Sequence, residues 1–173
     1  ANDMRVDGFR FDLCAALIRG LDGKPMENSP LIEKIEKDPL LSKKILIAEA
    51  WDASGLYLLG DFSKRGHWKE WNGWYRDHVR RFLKGTDNQA GSFAAALSGS
   101  EPIYGSSKTP FSSINFITSH DGYSLRDLVS YQQKHNLANG EQNKDGSDHN
   151  DSWNCGAEGA TEDEAIRELR ERH

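Results

Sequence analysis

Cysteine is scarce in this sequence: the 173 residues contain two, Cys14 and Cys155. They stand far apart and lack metal-ligand spacing, so no disulfide framework is indicated and both read as buried free thiols. Long apolar runs are missing too; none approaches the length of a membrane span, and no membrane partner is expected. No sign of charge dominates. The formal net charge of −5 is mild, and no basic stripe extends beyond Arg80-Arg81, so no nucleic-acid partner is expected. There is no visible signal or transit peptide, no internal repeat, and no linker that would separate two domains. The chain opens directly on strand-like residues, and we read it as cut from a longer protein at both ends.

Aromatic residues are plentiful. Five tryptophans, five tyrosines and seven phenylalanines argue against disorder, although 36% apolar and 28% charged residues put the chain on the polar side for a globular protein. Residues 5–13 read as a strand. Its period of two places Arg10 and Asp12 on one face and Phe9 and Phe11 on the other. Charge on a buried sheet face must pair within the fold or meet a substrate. Both a structural ion pair and a binding site satisfy that condition.

Further along, Ser29-Pro30 predicts a helix start, with Leu31, Ile32 and Ile35 inward and Asp38-Pro39 as its end. The short apolar run 44–49 predicts a strand covered on both faces, ending in Glu49. A long aromatic loop follows and closes on a brief strand at Trp71-Asn72. Tyr75, Val79, Phe82 and Leu83 fall at helical spacing, with Gly85 at the C-terminal cap. Ser92 is expected to cap a small helix through Phe93 to Leu97, followed by a turn-rich stretch over 98–113. Residues 114–119 predict a third clear strand, ending in His120-Asp121-Gly122. Ser124 with Asp127, and Thr161 with Glu164, are capping-box starts. Between them lies a polar loop over 136–160, read as solvated. Its Asp145, Asp148 and Asp151 lack the order of a calcium loop. The last helix, 162–172, turns Ala165, Ile166 and Leu169 inward. Strands alternating with helices, with long loops after the strands, define an α/β fold with a parallel sheet.

Three strands therefore end in carboxylates: Asp12, Glu49 and Asp121. In a closed parallel barrel, strand carboxyl ends share one face, which would bring together residues separated by 37 and 72 positions. Three clustered carboxylates repel one another, so stability alone gives no reason to collect them. Retaining glycoside hydrolysis uses such a set: an ionised nucleophile and a protonated donor about 5 Å apart. Arg10 is placed to keep Asp12 ionised. Glu49, after an apolar strand and near Trp51, is placed to hold a proton.

Val6 to Leu13, Ala48-Glu49-Ala50-Trp51-Asp52 and Ile117 to Gly122 resemble, in this order, three short motif regions of the α-amylase clan. Within the clan they are similar to the isoamylase-type starch and glycogen debranching enzymes. Trp71-Asn72-Gly73, Arg76-Asp77, Arg80-Arg81-Phe82, Asp127 to Tyr131, Lys134-His135-Asn136, Asn139-Gly140-Glu141 and Ser152 to Gly156 carry the closer match. The resemblance implies a partial (β/α)8 barrel, approximately strands four to seven, filling residues 1–173. It implies Asp12 as nucleophile, Glu49 as acid/base, and Asp121 as stabiliser of the transition state. Arg10, His120 and Trp51 are implied to bind substrate, a branched α-glucan. Trp68, Trp71 and Trp74 are open to either sugar stacking or the core. No metal or cofactor is required by this chemistry.

Ala50 stands where proline is frequent in the family, which leaves Glu49 intact. The clan's first motif is missing, as are the first barrel strands, the last one and the flanking β domains. A whole barrel needs ~250 residues. The isolated chain is accordingly expected to be inactive and poorly stable. Alternatives at this stage are a non-catalytic glucan-binding or scaffolding subunit, or a clan member that branches or cleaves α-1,4 linkages. An oligomer of the full-length protein is compatible with this reading, located in the cytoplasm of a bacterium or the stroma of a plant or algal plastid.

Overall fold

The computed structural model describes residues 1–105 and 110–173. Part of the expected turn-rich stretch, 106–109, lies outside the described residues. The chain forms two compact units: Ala1–Gly73 with Leu97–Asn115, and Trp74–Ala96 with Phe116–His173.

The first unit holds a four-stranded, all-parallel sheet in sequential order: β1 (Gly8–Phe11), β2 (Ile45–Ala48), β3 (Lys69–Trp71) and β4 (Ser113–Ile114). The strands are shorter than the sequence pattern predicts. Pairing sets their bounds: Gly8 lies opposite Ile45 and Phe11 opposite Ala48, and the chain turns away just beyond. Gly8 is required there, because a Cβ would collide with the Ile45 carbonyl. The third clear strand, expected over 114–119, is instead two residues long. Its polar Asn115 and Thr118 break the apolar run that would extend a covered strand. The brief strand expected at Trp71-Asn72 is present as β3, shifted to start at Lys69. Its Glu70 is fully buried and accepts from the backbone N–H groups of Gly60, Phe62 and Ser63. Those bonds fold the preceding loop around the strand.

α1 (Pro30–Lys37) starts and stops where expected. Ser29 does not cap it; its hydroxyl donates to the Leu17 carbonyl at 2.8 Å. Ile32 and Ile35 join Leu46, Ala48, Phe62 and Trp68 in the core. Trp68 is only 1% exposed, packs against Phe11 and Phe62, and donates its indole N–H to Glu36. Its place in the core removes it from the sugar-stacking candidates. At the end of β3, Asn72 donates to the hydroxyls of Ser100 and Ser113, fastening β3 to the start of β4.

In the second unit, α2 (Gly73–Leu83) continues from Trp74 and ends at Gly85, whose positive φ accommodates the cap. α3 (Ala90–Leu97) begins three residues earlier than expected, so Ser92 lies within it rather than capping it, and Phe93 stacks on Phe82 at 3.9 Å. A further short helix, α4 (Glu101–Tyr104), belongs to the first unit and falls in the stretch read as turns. α5 (Leu125–Leu128) carries the expected Ser124 cap, which accepts from the Asp127 N–H. α6 (Glu164–Arg172) is capped by Asp163 rather than Thr161, whose hydroxyl accepts from the Asp163 N–H. Ala165 proves exposed, while Ile166 and Leu169 are half-buried.

The 136–160 loop is largely exposed over 136–149, as expected, and is tied down by a buried lysine. Lys134 has a side chain 4% exposed, and its ammonium meets the Asp145 carbonyl at 2.8 Å and the Asp148 carboxylate at 2.9 Å. Of the three aspartates only Asp148 pairs its carboxylate with the lysine; Asp145 Oδ2 accepts from the amides of Asn136 and Asn139. Asp151 turns away to Arg81 and Lys84. Among the described residues, no helix is long and apolar enough to cross a membrane.

Candidate active site

β1 ends at Phe11, and the chain reverses through Leu13 in the left-handed conformation, φ 42°. This turn aims the Leu13 N–H at Glu49, whose Oε2 accepts it at 2.6 Å. The Glu49 backbone is also held, donating to Phe11 O and accepting from Cys14 N–H. The two strand ends are stitched together by main-chain bonds, and the side chains beyond them have little freedom.

Arg10 stands between the two acids. Its Nη1 lies 2.7 Å from Asp12 Oδ1 and its Nη2 3.0 Å from Glu49 Oε1. The face of Trp71 backs the guanidinium at 4.0 Å, a cation–π contact that fixes its plane. A carboxylate oxygen of Asp12 and one of Glu49 lie within 4.8 Å of each other. The face-sharing expected of Arg10 and Asp12 is therefore observed, and Arg10 serves both carboxylates.

Their environments differ sharply. Glu49 is 0% exposed, whereas the Asp12 side chain is 59% exposed. Burial pushes the Glu49 carboxyl above its ordinary value; the Leu13 N–H and Arg10 oppose this, and neighbouring Asp12 adds to it. The contact between Arg10 Nη2 and Glu49 Oε1 lacks hydrogen-bond alignment, which limits how far Arg10 can offset the burial. Two carboxylates, one dry and one wet, held at this separation by a common arginine, can divide the work of proton donor and nucleophile. Cys14 lies directly behind them. Burial first and the charge of Glu49 second push its thiol up to about 12, which makes it an inert wall of the site.

Trp51 follows Glu49 by two residues, is half-buried, and stacks on Tyr57 at 6.1 Å and 14°. Asp52 holds this loop, accepting from the Ser54 and Leu56 N–H groups and from Arg19. The arginine hydrogen bond draws Asp52 down to about 2.

His120 and Asp121 belong to the second unit. Both are exposed, with His120 Nε2 3.6 Å from Asp121 Oδ2 and the Asp121 N–H on Ser119 Oγ. They line a polar cleft of about 480 Å³ whose other walls include Tyr131, Lys134, His135 and Asp145. Trp74, also in this unit, packs against His78 at 4.3 Å.

Sequence reasoning did not single out Glu70, Arg80 or Lys134 as buried ionisable groups. For Glu70 a signal existed: in Lys69-Glu70-Trp71 the alternation of a strand turns the middle residue inward. Arg80 offered none, since it falls at the basic end of a helix where exposure is the default.

Parallel α/β architecture with paired carboxylates at successive strand ends defines the class of site. The sequence comparisons agree with the family resemblance carried by the motifs. Isoamylase SU1, chloroplastic, of Zea mays is 50% identical over 98% of this chain and 24% of its own length. The glycogen operon protein GlgX homolog of Mycobacterium tuberculosis is 49% identical over 98% of the chain and 23% of its own length. The glycogen debranching enzyme of Serratia proteamaculans is 44% identical over 97% of the chain and 25% of its own length. Isoamylase-type debranching enzymes are thus the relatives of this chain, which spans about a quarter of their length. No family profile matches it.

Proposed function

We propose that this chain carries the nucleophile and the acid/base of a retaining glycoside hydrolase that opens α-1,6 branch linkages in glycogen or starch. The observation that carries the reading is the Asp12–Arg10–Glu49 arrangement. A separation within 4.8 Å favours direct attack over the wider gap that admits a water between two carboxylates.

In the first step Asp12 attacks the anomeric carbon, and the bond to the branch oxygen breaks as Glu49 delivers its proton to that oxygen. A glycosyl ester on Asp12 results. In the second step Glu49, now ionised, takes a proton from water. The water oxygen bonds to the anomeric carbon, the ester breaks, and the configuration is retained. Arg10 orients the Asp12 carboxylate for the first attack and pairs with it again when the ester breaks. Asp121 and His120 bind sugar hydroxyls and stabilise the oxocarbenium-like transition state, and Trp51 offers its face to the glucan. No step needs a metal or cofactor.

The finer fold assignment is part of the same proposal: residues 1–173 form the middle of a (β/α)8 barrel domain, with β1 to β4 as its strands four to seven. The sequential parallel order of the sheet supports it. Relatives named for isoamylase activity and for glycogen debranching support branched α-glucan as substrate. Several plant relatives are named chloroplastic; a plastid stroma, or the cytoplasm of a bacterium, is the compartment proposed here.

Full-length protein incubated with amylopectin is expected to release linear chains whose new reducing ends are initially α. Asp12→Asn and Glu49→Gln are each expected to lower this release by at least ~100-fold. Near-normal turnover in either variant, or initial β-anomer product, would sink the assignment.

A further inference from the structure

Arg80 is an unusual residue for the last turn of a surface helix. It is 7% exposed, and its guanidinium enters the interior of the second unit. Its Nε and Nη2 both donate to the Ile117 carbonyl, and its Nη1 donates to the Asn150 carbonyl at 3.0 Å. Burial, reinforced by nearby Arg76, brings its pKa down to about 10, so it remains cationic at neutral pH. A buried cation is costly unless its donors are satisfied, and here they are satisfied by main-chain carbonyls.

Those two carbonyls flank the His120-Asp121 segment in a particular way. Ile117 precedes His120 by three residues. Asn150 reaches the other side: its Oδ1 accepts from the Tyr123 N–H at 3.3 Å, and its Nδ2 donates to Ser147 O at 2.9 Å. Gly122 passes so close that a Cβ there would lie 2.6 Å from Asn150 Oδ1, at a φ of +75° that already favours glycine. His120 and Asp121 themselves have largely exposed side chains, 49% and 64%. The backbone before and after them is anchored, and both anchors run to one guanidinium.

We propose that Arg80, directly at Ile117 and through Asn150 at Gly122-Tyr123, is the positioning residue that sets the His120-Asp121 segment for transition-state stabilisation. This rests on the role given to Asp121 above. Lysine cannot replace Arg80, because a single ammonium lacks the planar fork that spans both carbonyls.

The test compares full-length wild type with Arg80→Lys and with Asn150→Leu, which removes the Oδ1 acceptor of the Tyr123 N–H. Each is incubated at length with a fluorinated α-glucosyl fluoride, which traps the glycosyl ester, and the labelled Asp12 peptide is counted by mass. Turnover of amylopectin is then expressed per labelled site. The expected result is kcat per labelled site lower by about tenfold or more in both variants, with KM changed by less than about threefold. A merely structural role would lower the labelled fraction and leave kcat per site intact. Should Arg80→Lys fail to fold, Asn150→Leu decides alone. Turnover per site within about twofold of wild type overturns the proposal. Absence of label at Asp12 in the wild type overturns the hydrolase reading, and this proposal with it.

Discussion

Glu49 and Asp12 are the same chemical group in two solvents. Glu49 is fully buried at the end of an apolar strand, and its raised pKa follows from the loss of water around the charged form. Because the folded value lies above the unfolded one, protonated Glu49 favours the fold. Its contribution is fully present below the ordinary carboxylate pKa and is lost as pH rises through the raised value. In the proposed mechanism the same titration removes the proton donor, so kcat/KM of the full-length protein is expected to fall on a basic limb above the usual glutamate range. Glu49→Gln should abolish that limb in a pH profile of residual activity; its persistence would assign the titration to another group. Sequence position alone foretold the direction for Glu49, because an apolar strand leading into a carboxylate buries it. Nothing local foretold that Arg10 would touch both acids, since that contact depends on how β1 and β2 are paired.

At the scale of elements, the parallel pairing of β1 and β2 is the device that delivers both acids. Gly8 is its first residue, and its lack of a side chain lets the Ile45 main chain approach. Gly8→Ala is expected to destabilise the protein by about 1–3 kcal/mol through overpacking, read as a lower urea midpoint with an unchanged slope. An unchanged midpoint would show that the pair tolerates a methyl group. The loop on Lys134 behaves differently, because a buried ammonium rather than a ladder organises it. Lys134→Met leaves the Asp145 carbonyl without its 2.8 Å donor. The expected outcome is a loss of about 1–3 kcal/mol and faster amide exchange across 141–149, with the β1–β2 amides unaffected. Equal exchange in variant and wild type would refute the role of Lys134. That loop was read from sequence as solvated, and most of its residues over 136–149 are exposed. Polarity did not show that a buried ammonium ties it down.

For the molecule as a whole, the described part of the sheet leaves β1 and β4 as its edges. Parallel sheets are ordinarily covered on both faces, and open edges invite pairing with other chains. The 173-residue polypeptide by itself is therefore expected to self-associate in size-exclusion chromatography and to show no release from amylopectin. A monodisperse monomer with a sharp, cooperative unfolding transition would contradict that expectation.

What the sequence determined by itself was the chemistry: three carboxylates following strand-like runs, an arginine beside the first, and a histidine beside the last. Alternation and apolar runs are local properties, so the α/β class and the parallel order were legible without coordinates. The tertiary structure decided which acid is dry, that Trp68 is core and not a sugar platform, and that Arg80 and Lys134 point inward. Burial of a side chain is set by what distant segments place over it, and local sequence carries no record of that.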